Sequence, residues 1–133
     1  MPYRLLSPLP DTASPAQILA QEQHWLRDCA RDGQPRAHLW QAPQCLIVTR
    51  KDTRLPHYAA ACKQLAAEGW PVYVRDSGGT AVPHGAGILN LSLLLPRTTT
   101  DLAHYYRLLG APLLTLLAEY GLAGSYNFVP GSF

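Results

Sequence analysis

The stretch from Val72 to Gly87 gathers the groups best suited to chemistry: Arg75, then Ser77-Gly78-Gly79-Thr80-Ala81-Val82-Pro83, then His84 with glycines at Gly85 and Gly87. Arginine contributes a permanent charge and a planar fork of donors. Glycines accept backbone angles that other residues resist, and they let main-chain N–H groups come close to a ligand. A loop built this way suits a ligand with an anionic or carbonyl head and a long body. It is not a Walker loop, because no Gly-Lys-Ser/Thr closes it. Nor is it a dinucleotide fingerprint, because a strand rather than a helix is expected to follow. A plain hairpin turn is the competing reading. Glycines on both sides of His84, and strand-like runs on both flanks, favour a ligand loop.

Written as Arg75-x-Ser77-Gly78-Gly79-Thr80-Ala81-Val82-x-His84-Gly85-x-Gly87, with Asn90-Leu91-Ser92 after it, the segment resembles the signature of the biotin/lipoate protein ligase superfamily. The resemblance is closer to its lipoate–protein ligase and octanoyltransferase branch. Thr80 stands where many ligases carry a third glycine, and Ile88 where many carry asparagine. The His84-Gly85-Ala86-Gly87 stretch is similar instead to the His-Gly-Pro-Gly of octanoyltransferases. These departures weigh against ATP-dependent ligation more than against the family.

The resemblance implies transfer of a lipoyl or octanoyl group to a lysine of a carrier domain, in a 2-oxoacid dehydrogenase or glycine-cleavage complex. It implies ATP and Mg2+ if the protein is a ligase, and no cofactor if it is a transferase. Arg75 and the backbone of Thr80 to Pro83 would surround the acyl-adenylate or thioester. Gly78 and Gly79 would allow that approach, His84 would line the mouth, and the Asn90–Leu95 strand would sheath the chain. Ser77, Gly85 and Gly87 complete the expected binding set. The alternatives are a surface ion pair with Asp76 for Arg75 and a turn-holding hydrogen bond for His84. The family's reactive lysine or cysteine is expected beyond Phe133, since Lys51 and Lys63 both precede the motif. No catalytic residue is therefore assigned within the chain. The expectation is the N-terminal part of such a domain, or an acyl-binding form without the reactive residue. A biotin–protein ligase is a third, less favoured reading.

Composition sets the bounds. A length of 133 residues with 47% apolar side chains suits one domain around one core. A net charge of +2, with no basic run, argues against nucleic acid or an acidic membrane surface as partner. Cys29, Cys45 and Cys62 are odd in number and widely spaced, which favours a reducing compartment and excludes the usual metal-ligand spacings. The apolar stretch from Ile88 to Leu95 is too short to span a bilayer, and no apolar signal core follows Met1. A cytoplasmic protein is expected.

Elements must position the loop. Leu5 to Ala13 reads as an extended, proline-marked arm. Ser14, Pro15 and Gln17 form a helix start with capping-box spacing. Ile18, Leu19, Trp25, Leu26 and Cys29 then recur on one side as far as Gly33, with Glu22 interrupting the stripe. His38–Gln41 and Cys45–Thr49 read as a hairpin about Ala42-Pro43-Gln44. Pro56 is expected to open a second helix that stops at Gly69. Trp70–Arg75 and Leu89–Leu95 read as strands, the latter central in the sheet because it is apolar on both faces. Thr100 is expected to cap a helix beginning at Asp101, which Gly110-Ala111-Pro112 should kink or divide. The second piece should run from Pro112 to Tyr120. Ser125–Val129 is a last strand candidate, with a turn at Pro130-Gly131. Interleaved strands and helices with a hairpin indicate an α+β fold, a mixed central sheet with helices mainly on one face.

Overall fold

The computed structural model describes residues 2–127. Strand β1 (Arg4–Leu5) starts the proline-rich arm and pairs parallel with β2 (Arg36–Trp40). Helix α1 (Pro15–Asp32) lies between them. Its start follows from local chemistry. The Ser14 hydroxyl accepts from the Gln17 N–H at 3.2 Å, and the Gln17 carboxamide accepts from the Ser14 N–H at 2.8 Å. Two otherwise orphaned donors are thereby satisfied. Gly33 closes the helix in the left-handed region at φ 68°, where its N–H reaches the Cys29 carbonyl.

β3 (Cys45–Thr49) is followed by a 3-10 turn at Asp52–Arg54 and by α2 (Tyr58–Ala67). β4 (Val72–Arg75), β5 (Val82–His84) and β6 (Asn90–Leu94) complete the strands. They form two three-stranded mixed sheets, ordered β1-β2-β6 and β4-β3-β5. Helix α1 packs on β4 and β6, and α2 on β4. The core gathers Ile18 from α1 with Ala42, Cys45 and Ile47, and Trp40 and Tyr73 pack around it. The α+β expectation is borne out.

Several local expectations are overturned. β2 and β3 are not a hairpin: Ala42-Pro43-Gln44 carries the chain from one sheet to the other, and β2 pairs instead with β1 and β6. β6 is not central. Among the described residues it stands at an edge, and most of its side chains are only half-buried. Leu89, expected inside that strand, precedes it and is exposed. Pro56 does not open α2, because His57 takes the left-handed region at φ 65° and breaks the helical path just before Tyr58.

The backbone divides into two compact units, Met1–Pro96 and Arg97–Phe133. The second contains α3 (Leu102–Glu119). Its cap is Asp101 rather than Thr100, with the carboxylate accepting from the Ala103 N–H at 3.0 Å. Pro112 lies inside this helix and does not divide it. Its missing N–H removes one ladder bond, which the flanking turns tolerate. Residues 125–127 form no strand, and the rest of the Ser125–Val129 candidate, with the Pro130-Gly131 turn, lies outside the described residues.

Candidate functional site

The glycine loop owes its position to β3. β4 runs parallel to β3 on one side, with Thr49 opposite Arg75, and β5 runs antiparallel on the other, with Ile47 opposite Val82. Residues 76–81 therefore cross over the C-terminal end of β3, and the plain-hairpin reading fails. Arg75 Nη2 donates to the carbonyls of Gly78 at 3.0 Å and Thr80 at 3.1 Å, folding the loop back over the strand end. Gly79 has φ +107°, and a Cβ there would stand 2.8 Å from that nitrogen. Only glycine fits both demands. Asp76 pairs with Arg50, not with Arg75, so the surface ion pair considered for Arg75 is not made. Among the described residues, the N–H groups of Ser77, Gly78 and Gly79 donate to no other protein group. They remain available to an acceptor on a ligand.

Two adjoining cavities meet at Arg75 and Ser77, where this loop begins. The inner one, about 250 Å³, brings together Arg75, Ser77, Val82, His84 and Asn90 from the motif, with Glu22 from α1. The outer one, about 530 Å³, runs between α1, β4 and β6 and is walled by Leu19, Leu26, Val74, Leu93 and Leu94. Leu19, Glu22, Arg75, Ser77 and Ser92 border both. The outer volume falls within the range of roughly 300–1,000 Å³ common to small-molecule sites. A mainly apolar trough thus adjoins a polar chamber, and of the three residues with open amides Ser77 borders both, whereas Gly78 and Gly79 border neither.

The chamber's polar groups are poorly solvated. His84 is buried and stacks on Trp40, ring centroids 5.3 Å apart, with its Nδ1 unpartnered. Burial and then the Arg75 charge push its imidazole below the ordinary value. Trp40 also donates its indole N–H to the Ser92 hydroxyl at 2.9 Å and accepts from the Asn90 carboxamide at its carbonyl, at 3.3 Å. His38, fully buried between Trp25 and Trp40, extends the aromatic column, and burial likewise lowers its pKa. Glu22 Oε1 is closed off from solvent without a hydrogen-bond partner. Burial raises its pKa, while the Ser92 hydroxyl and the Arg75 charge pull the other way.

The remaining motif residues are spread around this centre. Gly78 and Thr80 serve through their carbonyls. Ala81 and Pro83 are exposed, and Pro83 lies opposite Leu46 in the ladder. Gly85 and Gly87 belong to a turn closed by the Ile88 N–H on the Gly85 carbonyl, and neither lines a cavity. Lys51 and Lys63 border neither cavity. The sequence reading missed Glu22 and Trp40 as site residues, and it held Ser92 only as part of the Asn90–Leu95 strand. The one signal for Glu22 in the sequence is that it interrupts the apolar stripe of α1.

The sequence profile of the lipoyl protein ligase A/B catalytic domain matches residues 14–128. The octanoyl-GcvH:protein N-octanoyltransferase of Kyrpidia tusciae is 36% identical over 116 residues, 86% of this chain and 40% of that protein. In fold, the chain is similar to a T. acidophilum protein described as a lipoate protein ligase and solved with bound lipoic acid. The TM-score is 0.80 at 20% identity, covering 99% of this chain and 54% of the other. A lipoate-protein ligase A bound with ATP superposes with a TM-score of 0.78 at 19% identity, over 99% of this chain and 52% of the other. The chain thus spans less than half of the curated relative and about half of each solved chain. With the profile covering residues 14–128, this chain belongs to the lipoyl protein ligase A/B catalytic domain family.

Proposed function

We propose that the chain binds a medium-length acyl group, octanoyl or lipoyl, with its head under the glycine loop and its tail in the trough between α1, β4 and β6. It would serve transfer of that group to the lysine of a lipoyl-carrier domain. The observation that carries this reading is the junction, at Arg75 and Ser77, of a mainly apolar trough with the start of a loop whose Ser77, Gly78 and Gly79 amides are unengaged. Each buried CH2 contributes about 0.8 kcal/mol, so an eight-carbon chain gains on the order of 5 kcal/mol before ordering costs. Backbone amides aimed at a carbonyl oxygen stabilise the oxyanion of acyl transfer, at about 2.7–4 kcal/mol per donor. Arg75 organises those amides by holding the Gly78 and Thr80 carbonyls away from the head.

The name of the Kyrpidia tusciae relative, with its octanoyl-GcvH donor, supports a carrier-to-carrier transfer that needs no ATP. Thr80 in place of a third glycine points the same way. If the chemistry is ligation, the same free amides are the groups that would meet the phosphates of ATP. Among the described residues no three of His, Cys, Asp and Glu converge as metal ligands. No helix among them is long and apolar enough to cross a membrane.

The test is octanoyl transfer from octanoyl-GcvH to an apo lipoyl domain, run with and without ATP, beside calorimetry with octanoate, lipoate and biotin. Octanoate and lipoate are expected to bind, biotin not, and any transfer is expected to be independent of ATP. Biotin binding in preference to both would overturn the reading.

A further inference from the structure

Glu22 stands where the helix period calls for an apolar residue. It follows Ile18 by four positions and precedes Cys29 by seven, both buried at 3% and 0% exposure, so its side chain is turned toward the sheets. There it forms part of the wall shared by both cavities, with Oε1 shut off from solvent and unpartnered. No ion pair joins it to Arg75. A carboxylate left in this position is costly, because neither water nor a full counter-charge reaches the buried oxygen.

We propose that Glu22 is a specificity-determining residue of the acyl site: it must be an uncharged carboxylic acid for the apolar chain to lie against it, and its ionisation disfavours the chain. The inference rests on the acyl-binding reading above. A chain filling the trough removes the last water from the carboxyl, which raises the cost of the charged form further than in the empty protein. By linkage, the bound state then holds a proton that the free state releases. Affinity is full while Glu22 is protonated in both states. It falls tenfold per pH unit between the free and bound pKa values and is level above the bound one. Burial already holds the free carboxyl above its ordinary value, so the window opens above the usual carboxylate range.

Other groups face the same space. Arg75 on β4 borders both cavities, and Asp76 beside it is paired with Arg50. His84 on β5 borders the chamber, where burial keeps it neutral and moves its protonation to lower pH, and the Tyr73 phenol on β4 borders the trough. β6 contributes no titratable group, only Ser92 and its apolar neighbours.

The experiment uses octanamide, whose head does not titrate, and measures affinity and proton uptake by calorimetry across pH in two buffers of different ionisation enthalpy. The wild-type protein is expected to take up a proton on binding and to weaken about tenfold per pH unit through the window. Glu22→Gln is expected to bind with no proton uptake and no pH dependence there, and Glu22→Leu to bind at least as tightly. Octanamide binding with unchanged proton uptake in both variants, or with none in the wild type, would overturn the role of Glu22 while leaving the acyl site standing. Failure of octanamide to bind any of the three proteins, each shown folded by its melting curve, would overturn the acyl-site reading and this inference with it.

Discussion

Arg75 acts on the loop before it acts on any ligand. Its Nη2 bridges the Gly78 and Thr80 carbonyls, and Gly79 leaves room for it. Hydrogen bonds to a charged group contribute about 1.5–3 kcal/mol each when well formed, and Arg75 is only half-buried. Arg75→Ala should therefore weaken octanoate binding by roughly tenfold, with little loss of melting temperature. Calorimetry beside a thermal melt separates the two effects, and unchanged affinity would remove Arg75 from the site. Gly79→Ala meets both a left-handed φ and a close approach, so it should cost about 1–2 kcal/mol of stability and disturb Arg75 as well. At this scale the motif was readable because its residues are contiguous. Glu22 was not, because a carboxylate in a helix stripe reads as a solvent-facing interruption until the opposing sheet is known.

The helices and strands differ in how much of themselves they declare. α1 was legible at both ends, since Ser14, Pro15, Gln17 and Gly33 act within a turn of where they stand. Removing that cap with Ser14→Ala should lower unfolding free energy by about 1 kcal/mol, readable by urea titration. Asp101→Ala should do the same for α3, where the neighbouring threonine misled the reading of the cap. Strand membership was not local. The three residues Ala42-Pro43-Gln44 look like a hairpin turn, yet they carry the chain between sheets, because β2 finds its partners at β1 and β6. The apolar run of β6 suggested a central strand. It lies instead at an edge among the described residues, with Leu93 and Leu94 on the trough and Leu91 on the chamber. The crossover of the glycine loop above β3, which gives the site its shape, is likewise a pairing choice that no short window contains.

Taken whole, the first unit joins its two sheets through aromatic rings: Trp40 of β2 stacks on His84 of β5, and His38 lies between Trp40 and Trp25 of α1. Both imidazoles sit below the ordinary value of 6.5 because they are buried. Below that pH the unfolded chain takes up protons that the native state refuses, so stability is full above it and lost as pH falls toward the native values. Melting temperature should drop steadily from neutral to mildly acidic pH, and His38→Leu should flatten part of that slope. The α+β class was readable from the alternation of strand and helix signals, whereas this column joins residues far apart in sequence. The most direct test of the acyl site is a 1H–15N correlation titration of the protein with octanoate. Saturable shifts should centre on the amides of Ser77, Gly78 and Gly79 and on the Asn90–Leu94 strand. Shifts centred elsewhere, or none at saturating octanoate, would contradict the placement of the acyl group beneath the glycine loop.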